Sequence, residues 1–218
     1  MKKALLIVLV ASVGATFVQA QTYKETFDSN SLEWTECAYE SNNGSAIIDQ
    51  GVLTVESKGE KKGLSILLTA ASGVATKVGE NTFFETHAYA PLDVLKPFKV
   101  TTHVNIGKLA SDRIAGFVFN YRDGGNFYCF TFNNEMVSFN RYENGTVVGH
   151  IEQGVKWTNM KKVDQEWVLE SDGNQLTFTV DGMPIMKVRY MPLSYSGMGF
   201  YTFGKQKLVV DDIEFTQL

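Results

Sequence analysis

Apolar and polar residues alternate along most of the chain. The alternation is strictest in residues 98–106, FKVTTHVNI, where Phe98, Val100, Val104 and Ile106 occupy every second position together with one threonine. Successive side chains of a β-strand point to opposite faces, so this segment predicts a strand with one buried and one solvated face.

The same pattern recurs from near residue 23 to the end of the chain, and turn residues punctuate it. Asp-Gly pairs begin at Asp172 and Asp181, and an Asn-Gly pair begins at Asn144. Such pairs between alternating segments predict tight β-hairpins. The predicted strands are residues 23–28, 34–40, 46–50, 52–57, 64–69, 81–88, 98–106, 114–121, 126–133, 136–142, 146–151, 166–170, 175–180, 183–190, 197–203 and 207–215.

No segment after residue 20 keeps a helical period over eleven residues with caps at its ends. Residues 90–97 come nearest, but Pro91 and Pro97 confine them to a short connection. Many short strands without helices predict an all-β protein, a two-sheet antiparallel β-sandwich. Residues 21–218 are expected to form one such domain. The predicted core rows contain Phe98, Val100, Val104, Phe117, Phe119, Val137 and Phe139.

The first twenty residues have the pattern of a secretory signal peptide. A basic start at Lys2 and Lys3 precedes an apolar run, and small residues at Val18 and Ala20 precede the expected cleavage before Gln21. The protein is therefore expected to be secreted, periplasmic or held in the cell envelope, without membrane insertion after cleavage. Removing both lysines takes the formal net charge from −4 to −6, which gives no reason to expect nucleic acid as a partner.

Cys37 and Cys129 are the two cysteines of the chain. In an oxidising compartment they could form one disulfide bond across a long loop, and the alternative is two buried thiols. Neither they nor the three histidines have zinc-ligand spacing, so no metal site of that kind is predicted.

Several fragments resemble those of a known superfamily: ETFDSNSLEWTE, DQGVLTVES, AGFVFNYRDGGNFYCFTF, EWVLESDGNQLTFTVDG and LVVDDIEF. Their order resembles the concanavalin A-like lectin/glucanase superfamily, especially laminin G-like and 3-keto-disaccharide hydrolase-like domains of secreted bacterial proteins. The resemblance covers Tyr23 to Leu218. It implies a jelly roll with one curved, exposed sheet, and it leaves function open because lectins, hydrolases and adhesion modules share this fold.

Glu170 and Asp172 resemble the start of the E-x-D-x-x-E motif of family-16 glucanases, whose acids follow one strand. Gln175 stands where that motif has its second glutamate, and Asp172 begins a turn. We therefore interpret the segment as a hairpin and predict no catalytic residue.

Asp211 and Asp212 are neighbours on the last strand, so we expect them to face opposite sides. In jelly-roll carbohydrate-binding modules, carboxylates at positions like Asp28 and Asp212 can hold a structural calcium ion; otherwise Asp28 caps a turn and Asp212 is solvated.

The rows opposite the predicted core are rich in amides and also contain rings. Sugar hydroxyls require planar donors and acceptors, and the C–H face of a sugar packs on an aromatic ring. The alternative is that these rows are an ordinary solvated face and that Trp157 covers an edge. The candidate carbohydrate-binding residues are His103, Asn120, Arg122, Asn140, Tyr142 and Trp157.

Three functions fit these observations. The first is a secreted, non-catalytic carbohydrate-binding domain with a glycan or polysaccharide as its partner. The second is an enzyme acting on glycans or 3-keto-glycosides, and the third is an envelope or adhesion module that binds protein.

Overall fold

The computed structural model describes residues 21–34, 39–40, 44–58, 83–155 and 164–218. Their regular secondary structure is entirely β. The strands are β1 (Gln21–Glu25), β2 (Tyr39–Glu40), β3 (Gly44–Asp49), β4 (Val52–Ser57), β5 (Phe83–Tyr89), β6 (Phe98–Ile106), β7 (Ile114–Asp123), β8 (Asn126–Phe132), β9 (Met136–Glu143), β10 (Thr146–Gly154), β11 (Asp164–Ser171), β12 (Gln175–Val180), β13 (Met183–Arg189), β14 (Gly197–Phe203) and β15 (Lys207–Gln217).

The strands form two antiparallel sheets. One sheet has the order β13-β12-β11-β6-β15-β4-β3-β2, and β1 pairs with the remaining length of β15; the other has the order β10-β9-β8-β7-β14-β5. They are called the nine-stranded and the six-stranded sheet below. The predicted all-β, two-sheet antiparallel sandwich is confirmed.

Tight turns set the register of the hairpins. Asp181 and Gly182 have φ of 49° and 74°, and Asn144 and Gly145 have φ of 50° and 75°. Two consecutive left-handed residues are the mark of a type I′ turn, whose twist matches that of the flanking strands. The Asp181-Gly182 and Asn144-Gly145 pairs therefore form the tight hairpin turns that the sequence predicts.

Aromatic rings fill the space between the sheets. Phe130 of the six-stranded sheet stacks on Phe178 of the nine-stranded sheet with ring centroids 5.1 Å apart, and Phe132 meets Trp167 edge-on at 5.0 Å. Burying side chains of this size stabilises the fold by roughly 1.5–3 kcal/mol each. Every residue of the predicted core rows is buried.

Residues 90–97 form turns rather than a helix, and Lys96 N donates a hydrogen bond to Asp93 O. Within the described ranges, no helix has the length and apolar character needed to cross a membrane. The predicted signal peptide, the predicted strand at 64–69, Cys37 and Trp157 lie outside the described residues.

Candidate functional site

The outer face of the six-stranded sheet carries a second apolar cluster, separate from the core between the sheets. Val118, Tyr121, Phe127 and Cys129 are buried there, and the half-buried Tyr142 and Tyr201 pack against them. The outer face of a sandwich is usually polar, so an apolar cluster on it departs from the ordinary pattern of the fold.

Rings on this face form a band that crosses the sheet from β5 to β9. The rings of His87 and Tyr121 stack with centroids 3.7 Å apart, Tyr121 lies 5.9 Å from Phe127, and Phe127 stacks on Tyr142 at 4.5 Å. At the end of β5, Tyr89 meets His87 edge-on at 6.1 Å and is 58% exposed. The band thus has an accessible ring at one end and buried rings in its middle.

Two glycines explain how the rings of His87 and Tyr121 meet, since β14 lies between their strands. Gly199 pairs with His87, and Gly197 pairs with both Tyr89 and Tyr121. A Cβ on Gly199 would lie 1.9 Å from a backbone oxygen of β5, and one on Gly197 would lie 2.4 Å from a backbone oxygen of β7. No side chain fits at either position, so the flanking rings can reach across the strand.

A β-bulge near the end of β7 turns Tyr121 towards this face. In the pairing of β7 with β14, β7 has one extra residue between Val118 and Tyr121, and Asn120 has a left-handed φ of 49°. One extra residue reverses the alternation that follows it. Asn120 is consequently fully buried and its Oδ1 accepts a hydrogen bond from the Tyr190 hydroxyl, 3.1 Å away.

Polar groups flank the aromatic band on β9 and β10. His150 Nδ1 and Asn140 Oδ1 are 2.6 Å apart. His150 Nε2 lies 3.6 Å from a carboxylate oxygen of Glu152. These contacts fix the orientation of the Asn140 amide at the surface of the sheet.

Burial keeps three titratable groups of this face, His87, Tyr121 and Cys129, uncharged at neutral pH. Desolvation lowers the pKa of His87 to about 4 and raises the pKa of the Cys129 thiol to about 12. Desolvation, followed by the charge of Glu85 and a hydrogen bond to it, raises the pKa of Tyr121 well above its usual value. The face therefore presents neutral imidazole and phenol groups.

The carboxylates on this face are too far apart for glycoside hydrolysis. Glu85 lies on β5 and Glu152 on β10, the two edge strands of the six-stranded sheet. Five spacings of about 4.8 Å separate these strands by about 24 Å, whereas paired catalytic carboxylates are about 5–9.5 Å apart. In β7, β8, β9 and β14 the acids are Asp123 and Glu143, and each is the last residue of its strand.

The Glu170 segment is a hairpin, as predicted. Glu170 pairs with Thr177 across the strands, while Asp172 Oδ1 accepts hydrogen bonds from the backbone N–H groups of Asn174 and Gln175, both at 2.8 Å. These bonds lower the pKa of Asp172. Asp172 thus belongs to the turn and lies outside β11.

The prediction that Asp211 and Asp212 face opposite sides is wrong. The pairing of β15 with β6 shifts register between Val210 and Asp212, so Asp211 is the extra residue of a bulge. Val210 and Ile213 point into the core. Both aspartates line a cleft of about 370 Å³ on the outer surface of the nine-stranded sheet.

The partners of Asp212 in this cleft are cationic or basic side chains. Lys24 Nζ lies 2.8 Å from Asp212 Oδ2, and His103 Nδ1 lies 2.8 Å from its Oδ1. Asp28 accepts a hydrogen bond from the Thr26 hydroxyl at 2.8 Å. Lys24 and Asp212 thus form an ion pair, and among the described residues there is no group of three or more acidic, histidine or cysteine side chains placed to hold a metal ion. The structural calcium ion stays a prediction.

The six sequence-predicted binding residues do not form one surface. Asn140 and Tyr142 lie on the outer face of the six-stranded sheet. Arg122 lies at the end of β7, Asn120 points inwards, and His103 belongs to the cleft on the other sheet. Trp157 lies outside the described residues, as does Cys37, so the predicted disulfide bond with the buried Cys129 stays a prediction.

Sequence reasoning missed His87, Tyr89, Tyr121 and Tyr201 as residues of this face. The alternation of His87 with Tyr89 in β5 was the available signal, because both follow a residue that faces the core. Tyr121 could not be placed without knowledge of the bulge at Asn120.

Comparisons with known proteins agree with this architecture. No protein-family model matches the sequence, and no curated protein matches it. A prokaryotic β-1,3-1,4-glucanase (lichenase) derived from a mouse hindgut metagenome is similar in structure, with a TM-score of 0.58 and 11% identity over 90% of this chain and 99% of its own.

Two similar solved structures are described as carbohydrate-binding modules. The CBM2 module of the Lactobacillus casei BL23 phage J-1 evolved Dit has a TM-score of 0.56 and 13% identity over 92% of this chain and 97% of its own. CBM66 from Bacillus subtilis has a TM-score of 0.51 and 12% identity over 82% of this chain and 96% of its own. At these identities the similarity shows the fold alone, which is a concanavalin A-like jelly roll.

Proposed function

We propose that the protein is a secreted, non-catalytic carbohydrate-binding domain and that the outer face of its six-stranded sheet binds a glycan. The observation that carries the proposal is the apolar ring cluster on that face, beside the fixed amide of Asn140. Rings and planar amides together match the C–H face and the hydroxyl groups of a sugar.

The neutral state of the ring-bearing groups supports binding rather than catalysis. His87 and Tyr121 stay uncharged near neutral pH, so they donate and accept hydrogen bonds without transferring protons. The wide separation of Glu85 and Glu152 also disfavours hydrolysis. Carbohydrate-binding modules among the similar folds agree with this proposal, and the glucanase among them keeps hydrolysis as the competing function.

A glycan array probed with the mature chain from Gln21 tests the proposal. Tyr89→Ala removes the most exposed ring of the band and should lower affinity for the bound glycan roughly five- to tenfold, in line with the worth of one aromatic contact. Met183→Ala, an exposed apolar residue of the nine-stranded sheet, serves as the matched control and should leave affinity unchanged.

Reducing-sugar release from the bound glycan provides the second readout. Absence of binding to every glycan would contradict the proposal, and hydrolysis by the purified chain would replace it with the enzymatic function. A protein recovered in place of any glycan would favour an adhesion module. Sequencing the N-terminus of exported protein checks the secretion proposal, with Gln21 as the expected first residue.

A further inference from the structure

Basic side chains are scarce on the six-stranded sheet. Among the described residues of its six strands, Arg122 and Arg141 are the lysine or arginine residues. Arg141 is 24% exposed, hydrogen-bonds Glu143, and lies over the ring of Tyr128. The Arg122 side chain is 56% exposed, so it is the accessible cation of the two.

The guanidinium of Arg122 is held in place by a ring rather than by a strong ion pair. Its Cζ lies 5.5 Å from the centroid of the Tyr195 ring. Its Nε lies 3.4 Å from Asp123 Oδ2, while Asp123 Oδ1 accepts hydrogen bonds from the backbone N–H of Gly125 and the side chain of Asn126. Asp123 is thus a turn-capping carboxylate, and the two terminal nitrogens of Arg122 point to no partner in the described structure.

Arg122 lies at the same end of the six-stranded sheet as the exposed Tyr89. It follows Tyr121, which pairs through Gly197 with Tyr89, and Tyr195 precedes Gly197 by two residues. Glu85 is four residues from Tyr89 along β5, which corresponds to about 13 Å. The six-stranded sheet therefore has an uneven distribution of charge, with its accessible arginine at this end and the carboxylate of Glu85 farther along β5.

We propose that the end of the face formed by Tyr89, Arg122 and Tyr195 is a subsite for an acidic sugar unit, one bearing a carboxylate or a sulfate group. The inference rests on the proposed function and adds the ligand class and its orientation. A guanidinium held over a ring offers paired N–H donors that match the two oxygens of such a group. The sugar ring packs beside it on exposed tyrosine, and the acidic group points away from Glu85.

Matched oligosaccharide pairs that differ only in the acidic group test the subsite. Cello-oligosaccharides are compared with their C6-carboxylated forms, and galactan oligosaccharides with their sulfated forms, on an array and by calorimetry. The wild-type chain should bind the acidic member about tenfold more tightly, and 0.5 M NaCl should remove most of that preference. Arg122→Gln should abolish the preference, so that the acidic and neutral members of a pair bind with equal affinity.

Arg189→Gln is the matched control, because Arg189 is exposed on β13 of the other sheet. Arg122→Lys keeps the charge without the planar donors and should retain only part of the preference. If neutral members bind and the preference is absent or survives Arg122→Gln, the subsite is overturned while the proposed function stands. If no member binds, the proposed function falls and the subsite falls with it.

Discussion

His87 should make the stability of the fold fall as the solution is acidified. Its pKa is lowered to about 4, from an ordinary value near 6.5, because burial against Tyr121 disfavours the imidazolium. A group with a lowered folded-state pKa contributes stability above its unfolded pKa, and that stability is lost as pH falls through the folded pKa. The window for His87 is therefore pH 6.5 down to 4.

The expected change in the free energy of unfolding follows from the change in the pKa of His87. A difference of about 2.5 pKa units corresponds to roughly 3 kcal/mol, and allowance for the partial exposure of His87 reduces it to about 1–2 kcal/mol. Urea unfolding followed by fluorescence of the buried Trp34 and Trp167 at pH 7 and pH 4 measures it. Wild type should lose about 1–2 kcal/mol more than His87→Gln over this interval.

His103→Gln is the control for this experiment, since His103 lies on the opposite sheet and is 50% exposed. This variant should keep the part of the acid sensitivity that His87 supplies. Aspartates with lowered pKa, such as Asp172 and Asp212, titrate mostly below this interval and are present in every variant. Equal losses in wild type and His87→Gln would refute the argument that the stacked imidazole is neutral because of burial.

Two further substitutions test the framework of the site and the glucanase-like segment. Gly199→Ala forces a Cβ against the backbone of β5 and should lower the free energy of unfolding by more than about 2 kcal/mol. The decrease in the urea midpoint measures this loss. The control is Gly154→Ala, whose added Cβ has nothing within 4 Å, and its stability should stay near that of wild type. Asp172→Ala removes two hydrogen bonds to the turn and should lower the free energy of unfolding by about 1 kcal/mol without changing glycan binding. Glu170→Ala should change neither stability nor glycan binding. Loss of a glycan-directed activity in either variant would contradict the hairpin interpretation.

The alternation of the sequence predicted strands well where a strand is regular over its whole length. The bounds of residues 98–106 and 197–203 agree with β6 and β14 at both ends. Alternation also predicted the buried row of β6. Local patterns were sufficient here because turn residues and side-chain phase are encoded within a few positions.

Bulges limited the prediction of the site. At Asn120, in the pairing with β14, and at Asp211, in the pairing with β6, one additional residue reverses the phase, and neither position carries a glycine or proline that would mark it. Alternation also separates inside from outside without telling which sheet a strand joins. His103 was consequently grouped with Asn140, although β6 pairs with β11 and β15 through contacts distant in sequence.

The bulge at Asn120 divides β7 into two segments that can vary independently. Substitutions before it alter the contact between the sheets, while substitutions after it alter the end of the face where Tyr121 and Arg122 lie. Insertion of a single residue between positions 120 and 121 would move Tyr121 one step along the strand, aim its phenol at the interior and separate it from the imidazole of His87. Variation in ligand preference among relatives of this chain is therefore expected to include changes in strand length at this point, as well as exchanges of side chains.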